Sequence, residues 1–295
     1  MVFLPVEASD ASWLSDIFKS PSKSAKSKPA PTKASTSPKH RTARLADPPP
    51  AASNPGLSKP LVTSCEPSKF RIVLDVGHTA QSEGAISARN VAEFVFNQRL
   101  AQRIEEKLKA EGFAETRLLV TEGKARPSLA KRVTAATNLH ANLLLSIHHD
   151  SVPDKLIENW EFEGKKSHFS DRFSGYSVFV SRDNADFKTS LAFAELLAKE
   201  MKAQGLQYAR QYTQAIMGHY QHPLLNRETG VYSYDQLIVL KSARMPAVLL
   251  EAGSIINRDE ELKMDSPERR DVISGAVAAA AKEFCDPKLA VLDPP

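Results

Sequence analysis

Residues 143–151 read LLLSIHHDS: a short apolar, β-rich run, then two histidines, an aspartate and a serine. A run of this length predicts a strand, and its nearly continuous apolar character predicts one covered on both faces. Three stretches resemble it, FRIVLDV (70–76), SGYSVFVS (174–181) and AVLLE (247–251). Helical periodicity lies between them. Residues 91–112 place Phe94, Val95, Leu100, Ile104 and Leu108 near one face and stop at Gly112. Residues 190–205 take Ser190 as N-cap and Gly205 as stop, and residues 269–284 supply a last helix. Strands alternating with helices predict an α/β domain, with a mostly parallel or mixed central sheet flanked by helices.

In such a sheet, sites form outside the carboxyl ends of the strands. The first strand ends in Asp75, Gly77 and His78, LLLSI ends in His148, His149 and Asp150, and AVLLE ends in Glu251. Glu93, in the first turn of the helix after the first strand, reaches the same pole. Imidazoles and carboxylates so gathered suit zinc, which takes three protein ligands and keeps a fourth position for water. Strand alternation keeps His148 and His149 from facing one ion together, leaving one as ligand and the other as a neighbour contacting substrate or water. Alternation does not say which.

The rest of the chain sets bounds. Residues 19–60 are built from Ser, Pro, Ala and Lys with too little apolar surface to offset chain entropy, which predicts a disordered tail. Residues 1–64 hold nine basic and four acidic side chains, a net of +5 against +4 for the whole chain, so the basic character lives in the tail. A folded part without that charge, and a tail without interleaved aromatics, predict no nucleic-acid partner. No uninterrupted apolar window is long enough for a transmembrane segment, and MVFLPVEASDASWL shows no complete export signal. Gly-x-Ser-x-Gly, Gly-x-Gly-x-x-Gly, the phosphate-binding loop and His-Glu-x-x-His are missing, which argues against serine hydrolases, nucleotide binders and one class of zinc peptidase. Cys65 and Cys285 bracket the folded part at the pole away from the strand carboxyl ends, where both a disulfide and two free thiols stay open.

IVLDVGH, GAISARNVAEFVFNQRLA, SLAKRVTAATNLHANLLLSIHHDS and PAVLLEAGSIINRDEE, in that order over roughly residues 70–285, resemble the zinc-dependent N-acetylmuramoyl-L-alanine amidases of bacterial peptidoglycan. The resemblance implies His78, Glu93 and His148 as ligands of Zn2+ and Glu251 as catalytic base, which by the alternation argument leaves His149 as the neighbour contacting substrate. The family's Gly-His-Gly-Gly is here Gly77, His78, Thr79, Ala80, a bulkier loop. Residues 152–173 are longer than the family's compact pattern; Trp160, Phe162, Phe169 and Phe173 there either line a groove or pack onto the domain. The stretch 206–236 lies where division-associated members carry a blocking helix and is short for one; its Asn226, Arg227, His219 and His222 are candidate substrate contacts. The implied organisation is a tail at 1–68, a zinc amidase domain at 69–288 and a short tail at 289–295. Peptidoglycan is the implied substrate, the periplasm or cell envelope the implied location, and an activator protein a candidate partner. A catalytically silent envelope-binding module, or another zinc hydrolase such as a carboxypeptidase, is the competing reading.

Overall fold

The computed structural model describes residues 64–286, so the expected tail at 289–295 and all but the last few residues of the one at 1–68 lie outside the described residues. Residues just ahead of 69 are bonded to the rest of the chain. Cys65 is bonded to Cys285, its amide donates to the Cys285 carbonyl at 3.1 Å, and Glu66 accepts from the amide of Phe70.

Among the described residues there are nine strands and six α-helices: β1 Ile72–Val76, α1 Glu93–Ala110, β2 Arg117–Leu119, α2 Ala125–Asn138, β3 Leu143–Asp150, β4 Glu158–Phe162, β5 Lys165–Phe169, β6 Ser177–Val180, α3 Phe187–Ala203, β7 Leu224–Asn226, β8 Val231–Ser233, α4 Ile238–Lys241, β9 Ala247–Ser254, α5 Arg258–Asp265 and α6 Pro267–Cys285. The main sheet has the order β2-β1-β3-β9-β6-β8-β7. β2, β1, β3 and β9 run parallel; β6 joins β9 antiparallel, β8 follows β6 in parallel and β7 closes the edge antiparallel. The expected α/β layout with a mixed sheet is what forms.

Several local expectations shift. LLLSI is not where the strand ends: β3 continues through His148, His149 and Asp150, with a register irregularity against β9 between His148 and Asp150. Ser190 is not an N-cap. It lies one turn inside α3, donates to the Asp186 carbonyl at 3.0 Å and accepts from the amide of Ala247 at 3.0 Å, so it ties helix to sheet. On α1 the fully buried face is Glu93, Phe96, Asn97, Leu100, Ala101, Ile104 and Leu108, whereas Phe94 and Val95 are half-buried. Within residues 152–173, Glu158–Phe162 and Lys165–Phe169 form a two-stranded hairpin, β4–β5.

The two-residue period sorts the sheet into two faces. One carries Leu74, Val76, Leu145, Ile147, Val248 and Leu250 into a core shared with α1, α3 and α6. The other carries Val73, Leu144, Ala247, Leu249, Phe179 and Tyr232 against α2 and α4. Towards the carboxyl ends this second face turns polar: Asp75 lies beside Ser146, and His148 beside Glu251. An apolar base under a polar rim is how the sequence positions a site without giving up the core.

Candidate metal centre and active-site cleft

The rim gathers side chains from three strands and one helix. His78 follows β1 with a left-handed backbone, φ 65°, and its Nε2 lies 3.0 Å from Glu93 Oε2. His148 Nδ1 lies 3.0 Å from Glu93 Oε1, and the two imidazole rings are 5.0 Å apart. Ligand atoms of His78, Glu93 and His148 all fall within 4.8 Å of one another, the sole such metal-ready group of His, Cys, Asp and Glu among the described residues. Burial works against the charge of Glu93, yet both histidines together hold its carboxyl well below the usual range, and burial pushes the His148 imidazole down. A carboxylate between two imidazoles is the protonation state that metal ligation requires.

Two glycines make room for the cluster. A Cβ on Gly77 would stand 2.4 Å from the His148 ring, and one on Gly84, at φ 82°, would stand 2.5 Å from Glu93 Oε2 and 2.7 Å from the His78 ring. The donor set and this cradle fit a single divalent ion. Glu93 is fixed from behind: the amide of Ala85 donates to its Oε2 at 3.1 Å, and Asn97 Nδ2 donates to its Oε1 at 3.1 Å. His78 is fixed through Arg132, whose guanidinium donates to Asp75 Oδ1 at 2.5 Å, to the Val76 carbonyl at 2.5 Å and to the His78 carbonyl. Ser146 Oγ donates to the other Asp75 oxygen at 2.7 Å. Arg132 escaped the sequence reading because it sits on a helix far along the chain; its signal is a cation in a segment that must pack against the sheet.

Glu251 stands in register with His148 across the β3–β9 ladder, and its Oε2 is buried with no hydrogen-bond partner. Burial, then the charges of Asp150 and Glu93, push its pKa well above the carboxylate range. Asp150 is pushed up to about 7, by burial above all. It accepts from Gln211 Nε2 at 3.3 Å and bonds Tyr212. Asp75, His78, His148, Asp150 and Glu251 open onto one cleft walled by Phe179, Tyr212, Tyr220, His222, Tyr234 and Leu237.

His149 is not in that cleft. Its ring turns to the opposite face, 2% exposed, where it lies 5.6 Å from the Phe96 ring and its Nδ1 is 2.8 Å from Asn97 Oδ1. Burial lowers its pKa to about 3, so it is neutral. It therefore supports Asn97, and through it Glu93, instead of contacting substrate. Asn226 is likewise committed elsewhere: its Oδ1 accepts from the amides of Glu228 and Thr229 at 2.9 and 3.2 Å, shaping the β7–β8 turn. Arg227 lines a neighbouring depression, not the cleft. Trp160, Phe162, Phe169 and Phe173 all lie outside the cleft lining. The stretch 206–236 holds two short 3-10 turns, Gln211–Thr213 and Ala215–Tyr220, before β7 and β8, and supplies cleft walls.

A histidine–glutamate–histidine cluster with an unbonded acid beside it, at the carboxyl edge of an α/β sheet, has the donor set that metallohydrolases use. Within that class, the family model described as N-acetylmuramoyl-L-alanine amidase matches residues 72–283, and the chain belongs to that family. The catalytic domain of CwlV, an N-acetylmuramoyl-L-alanine amidase from Bacillus (Paenibacillus) polymyxa var. colistinus, is 26% identical, with 74% of this chain and 98% of that one covered and a TM-score of 0.53. Ami1 of Mycobacterium smegmatis shares the fold at 20% identity and a TM-score of 0.55, covering 74% of this chain and 97% of its own. The CwlD amidase of Clostridioides difficile, solved with the GerS lipoprotein, shares it at 18% identity and a TM-score of 0.52, covering 73% and 98%.

Proposed function

We propose that the protein is a zinc-dependent peptidoglycan hydrolase of the cell envelope or periplasm, cutting the amide between N-acetylmuramic acid and the L-alanine of the stem peptide. The observation that carries this reading is Glu251: a buried acid with an uncommitted oxygen, one strand across from His148 and outside the His78, Glu93 and His148 cluster. A silent binding module has no need of such a group.

Zinc held by His78, Glu93 and His148 would supply a Lewis acid and an acidified water. The chain's own part is acid–base chemistry and orientation. Glu251 takes the proton of the attacking water and returns it to the departing L-alanine amine, which its position beside the cluster allows. Burial, then the charges of Asp150 and Glu93, raise its proton affinity, which favours taking the water's proton. Phe179, Tyr212 and Leu237 wall the cleft and limit water around the reacting amide.

Metal analysis together with mass spectrometry of digested peptidoglycan tests the reading. The expected products are stem peptides with new free L-alanine amino groups, from protein holding one zinc. In Glu251→Gln, zinc stays bound while turnover falls about 10²-fold or more, the scale of a lost general base. Near-normal turnover in that variant removes the base, and products cut within the peptide would make the protein a peptidase. An activator protein, tested by adding envelope fractions to the assay, belongs to the same reading.

A further inference from the structure

Beside the cleft lies a second depression of about 580 Å³, within the roughly 300–1,000 Å³ span of ligand sites. It is continuous with the cleft, since Tyr212 and His222 line both. Two arginines, Arg210 and Arg227, stand in its wall, and no acidic residue lines it. Elsewhere on the domain, several exposed arginines are matched by acids: Arg99 with Asp265, Arg103 with Asp271, Arg182 with Asp235, Arg258 with Asp171.

This wall is built. The Arg210 guanidinium lies over the Tyr208 ring, 5.3 Å from its centroid, while the Tyr208 hydroxyl donates to the Arg227 carbonyl at 2.8 Å. Tyr208 thus holds both arginine-bearing segments. Its ring rests where Gly230, at φ 83°, leaves space; a Cβ there would stand 2.3 Å from it. Tyr232 donates to the carbonyl of Ala209 at 2.6 Å, and Gln211 reaches Asp150 in the cleft, so the backbone on each side of Arg210 is tied down.

We propose that this depression is an anion subsite that takes a carboxylate of the stem peptide, with Arg210 and Arg227 as its donors. The proposal rests on the amidase reading above. In that substrate the lactyl carboxyl of the sugar is consumed in the scissile amide and the acetylated sugars carry no other, so free carboxylates belong to the peptide. An acid-free pocket with two guanidiniums joined to the cleft is therefore the peptide side, and guanidinium forks match carboxylate geometry. Arg227 gains a partner, Arg210, that sequence spacing does not pair with it.

Steady-state kinetics of the zinc-loaded full chain on two synthetic substrates tests this. Both carry N-acetylmuramoyl-L-alanine; one continues with D-glutamate bearing its free α-carboxylate, the other with the α-carboxamide. The carboxylate substrate is expected to show a KM about tenfold lower, the scale of one charge-assisted contact. Arg210→Gln and Arg227→Gln each erase that advantage, leave kcat within about twofold and leave the carboxamide substrate unchanged. Equal KM values in the wild type, or variants that slow both substrates alike, overturn the subsite. So does inorganic phosphate competing as well as the peptide, which marks a general anion site. If neither substrate is cut, the amidase reading fails separately, and calorimetry of the L-alanyl-D-glutamate peptide against its carboxamide then decides the subsite by the same discrimination.

Discussion

His78 occupies the left-handed backbone region, which costs a non-glycine residue roughly 1–2 kcal/mol. Arg132 offsets that cost by holding the His78 carbonyl while it pairs with Asp75 in the interior. Removing one partner of a buried pair costs about 3–5 kcal/mol. Arg132→Lys is the sharper test, since lysine keeps the charge but cannot span Asp75, Val76 and His78 at once. We expect zinc affinity, measured by chelator competition, to fall about 10–100-fold, the scale of losing a group that orients a ligand, while far-UV dichroism is retained. Unchanged affinity would reduce Arg132 to packing. Gly84→Ala is expected to abolish zinc binding, because the added methyl overlaps Glu93 and His78 and the left-handed turn resists any side chain. Equilibrium dialysis against zinc measures it, and stoichiometric binding would show that the cradle yields. At this scale alternation said that only one histidine of the pair could face an ion; that His149 instead props Asn97 was hidden, because its partner comes from a helix fifty residues earlier in the chain.

The β4–β5 hairpin shows the same limit one level up. Its turn places Glu163 and Gly164 at φ 52° and 73°, the two positive values of a tight hairpin turn, and Gly164 was the local signal. Trp160 stacks on Phe162 and meets Phe169 edge-on, while Arg258 lies 3.8 Å from the Phe169 centroid and Arg89 5.5 Å from that of Phe162. Trp160 Nε1 and Ser167 Oγ both donate to the Ala88 carbonyl, at 2.9 and 2.7 Å, so the hairpin clamps the loop that presents Ala85 to Glu93. Trp160→Ala is expected to speed hydrogen exchange of the hairpin and of residues 84–91 by tenfold or more, with a global destabilisation of only about 1–2 kcal/mol, because the cluster is peripheral. Exchange confined to the hairpin would uncouple it from the site. A two-stranded element needs such outside support, and the sequence shows the aromatics without showing the arginines that cover them.

Across the whole molecule, function and stability are placed at opposite poles. The Cys65–Cys285 disulfide joins residues 220 positions apart, with Cα atoms 4.6 Å apart, next to Phe70, Phe113 and Phe284 under the amino ends of the strands. Closing so long a loop stabilises by up to about 5 kcal/mol in the chain-entropy account. Cys285→Ser is therefore expected to lower the denaturation midpoint by the equivalent of about 2–5 kcal/mol, with zinc content and turnover at 25 °C unchanged. Urea unfolding with and without reductant checks the first, and loss of zinc on reduction would contradict the separation of poles.

The sequence by itself determined the α/β class and the pole at which His78, Glu93, His148, His149 and Glu251 gather, because short apolar runs and helical periods are local and strand ends follow from them, while the roles within that group came from the family resemblance of the motifs. The tertiary structure alone decided what depends on distant segments meeting: the Arg132–Asp75 pair, the turning of His149 towards α1, the antiparallel half of the sheet and the closing of the disulfide. Periodicity encodes which face a residue takes; which partner waits on that face is set only when the layers pack.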